Sequence, residues 1–91
     1  MATQATPPIL RWIGLDVHKH YLVAIGVDQH KQQVFGPCRV HYPQLAAWIE
    51  KHLTQQDAVV LEMTTNTYQL YDELLPHVGS VTVVHPPHVA L

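Results

Sequence analysis

The chain has 91 residues, 47% of them apolar and 13% charged, so it has room for one small domain with a core, and a disordered chain is excluded. Its five Lys and Arg residues and seven Asp and Glu residues give a net charge of −2, which excludes a protein that clamps nucleic acid by overall positive charge. No apolar run approaches the roughly 18 residues of a membrane span, residues 1–8 do not lead us to expect a secretory signal, and the single cysteine, Cys38, is typical of a reducing compartment.

We expect residues 1–10 to form a flexible leader and residues 11–91 to form one domain with the element order β-β-β-α-β-α-β. The predicted strands cover residues 11–17, 21–27, 33–40, 57–63 and 80–84, and the predicted helices cover residues 43–53 and 67–78. Gly36 and Pro37 interrupt the third strand. Because proline donates no hydrogen bond to a ladder, we expect this strand at a sheet edge or with a bulge. The order predicts an α/β fold with a mixed five-stranded sheet flanked by helices.

Both predicted helices carry an apolar stripe at helical spacing, which we expect to face the core. Pro43 suits the first turn of the first helix, Pro76 tightens the last turn of the second, and Gly79 is typical of the position just past a helix end. The stripes consist of Leu45, Trp48, Ile49 and Leu53 in the first helix and of Leu70, Tyr71, Leu74, Leu75 and Val78 in the second.

Two carboxylates each lie at the end of an apolar predicted strand, Asp16 in the run WIGLDV and Glu62 in the run VVLEM. An ionised carboxylate in such surroundings is costly unless it is paired or binds a cation. If the first and fourth strands are parallel neighbours, both acids emerge at the same sheet edge, where ligand sites of such sheets lie. Two converging carboxylates suit Mg²⁺ or Mn²⁺, which serve phosphoryl transfer. The alternative is a structural role, with each acid hydrogen-bonded to backbone.

Three blocks of the sequence resemble the DEDD-type transposases of the "IS one-ten" family of insertion sequences. IGLDVHK of residues 13–19 looks like the family's opening motif, and VLEMTTNTY of residues 60–68 is similar to its glutamate motif. VVHP of residues 83–86 looks like the end of its fifth strand, which usually reads Asn-Pro. The blocks stand in the family's order and spacing. The chain departs from the pattern at Met63, where a small residue is usual, and at Thr65, where many members have glycine.

The resemblance implies a ribonuclease H-like (RuvC-like) domain, truncated here at its C-terminal end. Asp16 and Glu62 would be the first two of four acids that bind Mg²⁺ or Mn²⁺ and catalyse DNA strand cleavage and transfer. The family's other two acids and its serine nucleophile lie downstream, so we expect the 91-residue chain by itself to be an inactive amino-terminal fragment. The implied partners are double-stranded DNA, a structured guide RNA and further copies of the chain, in a bacterial or archaeal cytoplasm.

Two further residues are candidates for contact with nucleic acid. Lys19 follows the first acid and is of the type that binds phosphate, although an isolated lysine is more commonly solvated. Tyr68 belongs to the glutamate block and is of the type that stacks on bases. The histidines near Lys19 and at the end of the chain lack the cysteine pair or acid, at ligand spacing, of a closed zinc site, so no zinc site is predicted.

Two other classes of function stay open on the sequence alone. One is a non-catalytic module that mediates oligomerisation or nucleic-acid binding. The other is an ATPase of the sugar or acetate kinase type, which also opens with Gly-x-Asp and a meander. That class needs a glycine-rich phosphate turn after the aspartate, whereas this chain has His18, Lys19 and His20 there.

Overall fold

The computed structural model describes residues 7–62 and 67–85, which form a five-stranded mixed sheet and two α-helices. The elements are β1 (Arg11–Val17), β2 (Tyr21–Asp28), β3 (Gln33–His41), α1 (Leu45–His52), β4 (Asp57–Glu62), α2 (Thr67–Leu74) and β5 (Ser80–Val84). The predicted element order is confirmed. Met63, which was expected to end β4, lies outside the described residues, as do residues 1–6 of the expected leader. None of the helices in the described part is long and apolar enough to span a membrane.

β1 is the central strand of the sheet, whose order is β3-β2-β1-β4-β5. It pairs antiparallel with β2 and parallel with β4, and β4 in turn pairs parallel with β5. β3 is an edge strand, as Gly36 and Pro37 led us to expect, and its pairing with β2 shifts register around Gly26. The parallel pairing of β1 with β4 brings the two strands that end in a carboxylate side by side.

A single apolar core lies between one face of the sheet and both helices. Alternate residues of the strands point into it, so that Leu15 of β1 lies beside Ala24 of β2 and Leu61 of β4. The largest fully buried apolar side chains are those of Ile13, Leu22, Ile49, Val59, Leu61 and Leu74. The helices therefore flank the sheet on one face only.

The ends of both predicted helices form 3-10 turns. Tyr42–Gln44 precedes α1 and includes Pro43, while Leu75–His77 follows α2 and includes Pro76. The prediction that Leu75 faces the core as part of the apolar stripe of α2 was wrong, because Leu75 is 44% exposed. The reason is geometric, because Leu75 directly follows the buried Leu74 and consecutive helical residues point about 100° apart, which turns Leu75 away from the core.

The other face of the sheet is open over the described residues and is largely apolar. Trp12 of β1, Ile25 of β2 and Val84 of β5 are between 37% and 42% exposed there. Gly14 lies between Ile25 and Val60 in register, so the middle of the face has no side chain at that point. A strand that is apolar on both faces is typical of a sheet covered on both sides, and here only one side is covered.

A buried ion pair joins the amino ends of β1 and β4. Arg11 Nε donates to Asp57 Oδ1 over 2.7 Å and Arg11 Nη2 donates to Asp57 Oδ2 over 2.8 Å, while the Asp57 side chain has no exposed surface. The backbone N–H of Thr54 donates a further bond of 2.8 Å to Asp57, and Arg11 also donates to the carbonyl of His52. The hydrogen bond with Asp57 raises the pKa of Arg11, against the opposing effect of burial. The pair fixes the register of the central parallel strands.

Asp28 closes the turn between β2 and β3. Its Oδ1 accepts hydrogen bonds from the backbone N–H groups of Gln32, at 3.0 Å, and of His30, at 2.8 Å. The bond from Gln32 is the largest reason why the pKa of Asp28 lies below its ordinary value, and desolvation opposes it. The turn also requires a left-handed backbone at Lys31, whose φ is 62°.

We expect the Asp28 carboxylate to stabilise the fold at neutral pH and to lose this effect in acid. Because the folded pKa is lowered, the contribution is complete above the unfolded pKa of about 3.9 and is lost as the pH falls through the lower folded pKa. The free energies of unfolding of Asp28→Asn and of the parent chain in urea should therefore differ most near neutral pH, and the difference should begin to shrink as the pH falls below about 4. Asp72→Asn, at an exposed position of α2, is the matched control. A stability difference for Asp28→Asn that did not change with pH would contradict this.

Candidate functional site

The two acids singled out from the sequence lie side by side at the carboxyl ends of β1 and β4. Leu15 and Leu61 are direct neighbours in the parallel register and both face the core. Asp16 and Glu62 are the next residues of the two strands, so both point to the open face of the sheet. Both are exposed. The expectation that these acids share one sheet edge is confirmed.

Asp16 and Glu62 line one shallow groove of about 390 Å³ on the open face. Gly14 forms its floor, and its walls include the apolar side chains of Ile25, Val60 and Val84. The two carboxylates are therefore set at the rim of an apolar depression on rigid strands. This arrangement favours a site that binds a charged group at the acids and excludes some of the surrounding water.

His18 holds the first acid in place. Its Nε2 lies 2.9 Å from Asp16 Oδ2, a hydrogen bond that becomes an ion pair when the imidazole is protonated. The imidazole also stacks on Tyr21, with ring centroids 4.6 Å apart and planes 20° from parallel. Contacts on two sides limit the rotamers of His18, whereas the Asp16 side chain is 73% exposed.

Tyr42 stabilises the turn that follows Asp16 through two hydrogen bonds. Its hydroxyl donates to the carbonyl of His18, and its backbone N–H donates to the carbonyl of His20 over 3.4 Å. Burial of the phenol raises the pKa of Tyr42, so the hydroxyl keeps its proton as a donor at neutral pH. The turn that carries Lys19 is thus tied to the 3-10 turn before α1.

The donor set at the groove fits a hard divalent cation. Carboxylate oxygens are the ligands that Mg²⁺ and Mn²⁺ prefer, and two of them on neighbouring strands suit an ion that keeps several waters. Within residues 7–62 and 67–85, no three His, Cys, Asp or Glu side chains gather as a metal-binding group. What the described part offers is a pair of carboxylates, with His18 as the neighbour that orients one of them.

Lys19 and Tyr68 do not line this groove. Lys19 is exposed in the turn between β1 and β2. Tyr68 is 74% exposed in the first turn of α2, directly after residues 63–66, which lie outside the described part. Of the histidines expected near this edge, His85 is exposed just past β5, and His88 lies outside the described residues.

One functional candidate was missed by sequence reasoning, the contact between Arg39 and Tyr21. The guanidinium carbon of Arg39 lies 4.4 Å from the centroid of the Tyr21 ring. Tyr21 opens β2 and Arg39 is near the end of β3, so the contact crosses the antiparallel hairpin. Counting strand pairs back from the turn at Asp28 brings Arg39 beside Tyr21 only if the irregular pairing of β2 with β3 at Gly26 is taken into account.

A second, smaller cavity of about 220 Å³ lies at the same end of the molecule but on the helix side. Its lining includes Tyr42, Leu45, Leu70 and Glu73, and Glu73 is the only carboxylate among the lining residues. It lacks the paired oxygen ligands of the groove.

The groove on the open face is therefore the candidate site. It presents two carboxylates on adjacent strands, one of them hydrogen-bonded to an imidazole. Such a pair can hold a divalent cation and direct it toward a ligand lying over the sheet. No family model, no curated protein and no solved structure matches the chain.

Proposed function

We propose that this chain is the amino-terminal part of a ribonuclease H-like, DEDD-type transposase domain that cleaves and joins DNA strands with divalent metal ions. The observation that carries the proposal is the placement of Asp16 and Glu62 at adjacent carboxyl ends of parallel strands, lining one groove. The element order and the mixed sheet agree with what the resemblance in the three sequence blocks implies.

In this proposal Asp16 and Glu62 hold the cation, which when bound activates the attacking oxygen and stabilises the leaving oxygen of a phosphodiester. His18 keeps the Asp16 carboxylate turned toward the open face through its 2.9 Å hydrogen bond. Gly14 leaves space over the middle of the sheet, and Ile25 and Val84 give the groove apolar walls. The chain thus supplies the first half of a carboxylate site.

The remaining parts of the site come from outside these 91 residues in this proposal. Ser80, the only serine, begins β5 beside Ala58, at the end of the sheet opposite to the acids, so it cannot serve as their nucleophile. The other two acids and the serine belong to further polypeptide. The substrate is double-stranded DNA selected by a structured guide RNA, and the working form is a homo-oligomer in the cytoplasm.

A titration of the 91-residue chain with Mn²⁺, followed by amide NMR, tests the metal site. Manganese broadens signals close to where it binds, so we expect selective broadening at the ends of β1 and β4 that excess Mg²⁺ reverses. Asp16→Asn and Glu62→Gln should each weaken this broadening. Because both side chains are exposed, neither change should alter the free energy of unfolding by more than about 0.5 kcal/mol.

Matched controls are Asp72→Asn and Glu50→Gln, which remove exposed carboxylates from α2 and α1 and should leave the broadening unchanged. Broadening confined to histidine neighbours, or broadening at the groove that persists in both Asp16→Asn and Glu62→Gln, would contradict the proposal. Protection of the fold by ATP would instead favour the kinase-type alternative.

A second candidate function, a non-catalytic module that assembles through the sheet, is favoured by the exposure of Trp12, Ile25 and Val84 on the open face. Such an apolar patch is typical of an interaction surface. Light scattering distinguishes this candidate, because it requires an oligomer whose formation does not depend on Asp16, Glu62 or a divalent ion.

A further inference from the structure

We propose that Arg39, held over the ring of Tyr21, binds a phosphate of a DNA strand that lies across the open end of the sheet beside the acid groove. This inference rests on the proposed function, since it adds a substrate contact to the same site. Its evidence is separate, because it comes from the β2–β3 hairpin and not from the acids.

Four side chains form a row across the carboxyl end of β1 and the facing ends of β2 and β3. Asp16 is hydrogen-bonded to His18, the imidazole of His18 stacks on Tyr21, and Arg39 lies over the same ring. We call His18, Tyr21 and Arg39 the ring stack. Neighbouring strands are about 4.8 Å apart, so Arg39 on β3 lies two strand spacings, about 10 Å, from the acid on β1.

The Arg39 guanidinium is available for an anion. Arg39 is exposed, and neither ion pair found within residues 7–62 and 67–85, Arg11–Asp57 or His18–Asp16, includes it. Its central carbon lies 4.4 Å from the centroid of the Tyr21 ring, and this cation–π contact holds the group beside the ring. The N–H donors at its edge remain free to make the paired hydrogen bonds that phosphate accepts.

The position of the other cations singles out this end of the sheet. Arg11 is engaged with Asp57 at the opposite end, Lys31 lies in the turn between β2 and β3, and Lys51 is on α1. Only Lys19, in the turn after β1, shares the end of the sheet that carries Arg39. A strand held at these two cations passes beside the acids. We therefore commit to a DNA backbone as the ligand, with one phosphate on Arg39.

The test measures binding of a short fluorescein-labelled DNA duplex by fluorescence anisotropy, in Mg²⁺ and over a range of salt concentrations. We expect Arg39→Gln to weaken binding roughly tenfold and to lower the salt slope by about one. Arg39→Lys keeps the charge without the planar guanidinium, so its affinity for the duplex should lie between those of the parent chain and of Arg39→Gln. Lys51→Gln, which removes an exposed cation from the helix side, is the matched control and should change binding less than about twofold.

Several outcomes overturn the inference: no measurable binding by the parent chain, equal binding by Arg39→Gln, or displacement of the duplex by inorganic phosphate at the same total phosphate concentration. Amide NMR of each variant shows whether it is folded, and chemical-shift changes around Tyr21 and Arg39 in the parent chain give a measure that needs no variant. Arg39-dependent binding without manganese broadening at Asp16 and Glu62 would support this inference while the proposed metal function fails. Manganese broadening at the acids together with DNA binding that is unchanged in Arg39→Gln would support the metal function while this inference fails.

Discussion

Asp57→Ala is expected to lower the free energy of unfolding by about 3–5 kcal/mol, because it leaves the Arg11 guanidinium partly buried without its counter-ion. The backbone N–H of Thr54 also loses its acceptor. A domain of this size has a total stability of about 5–15 kcal/mol, so the variant should be partly unfolded at room temperature if the parent lies at the lower end. Urea unfolding followed by circular dichroism measures the loss.

Two companion variants separate charge from hydrogen bonding at this pair. Asp57→Asn keeps an oxygen for the Thr54 N–H and should lose less stability than Asp57→Ala. Asp72→Ala, at an exposed site on α2, should change stability by no more than about 0.5 kcal/mol. If the free energy of unfolding of Asp57→Ala were within about 1 kcal/mol of the parent value, the buried pair would not be what holds β1 against β4.

Leu74→Ala should cost about 2–5 kcal/mol, whereas Leu75→Ala should cost less than about 1 kcal/mol. The two leucines are consecutive, but Leu74 is fully buried in the core and Leu75 is 44% exposed. Removing the Leu74 side chain leaves a cavity between α2 and the sheet, and removing the Leu75 side chain leaves none. The pair is its own control, because composition and local helix propensity change in the same way at both sites.

The comparison is made by urea unfolding of both variants under one set of conditions, with equal slopes of the unfolding transitions as the criterion that only stability changed. Equal losses at the two positions would mean that Leu75 packs in the core as Leu74 does. That result would contradict the exposure of Leu75 in the structure.

The strands were predictable because apolar residues either alternate with polar ones or form a continuous run, and polar, Gly or Pro residues mark the ends of each run. The bounds of β1 and β5 agree with the expectation to the residue, and β2 and β3 each extend one residue further. The helices were shorter than expected, since Pro43 and Pro76 each form a 3-10 turn where helical periodicity alone continues. Periodicity reports which face is apolar, but it does not report how tightly the backbone winds.

The site was predictable in part. Asp16 and Glu62 stand out in the sequence because each interrupts an apolar strand at its end, and local patterns are enough to find them. Arg11 and Asp57 are ordinary charged residues at strand starts, and only the parallel pairing of β1 with β4 makes them partners. Contacts between residues far apart in the chain depend on strand order and register, which no local pattern contains.

The order of the strands has a consequence for how the chain folds. β1, β2 and β3 are consecutive, so their pairing needs only short loops, whereas the pairing of Arg11 with Asp57 closes a separation of 46 residues. Closing a long loop costs entropy before the contacts that reward it are made. The meander is therefore expected to form first, and docking of β4 against β1 to limit the rate. The groove between Asp16 and Glu62 exists only after that slow step, so the candidate site is the last part of the sheet to form.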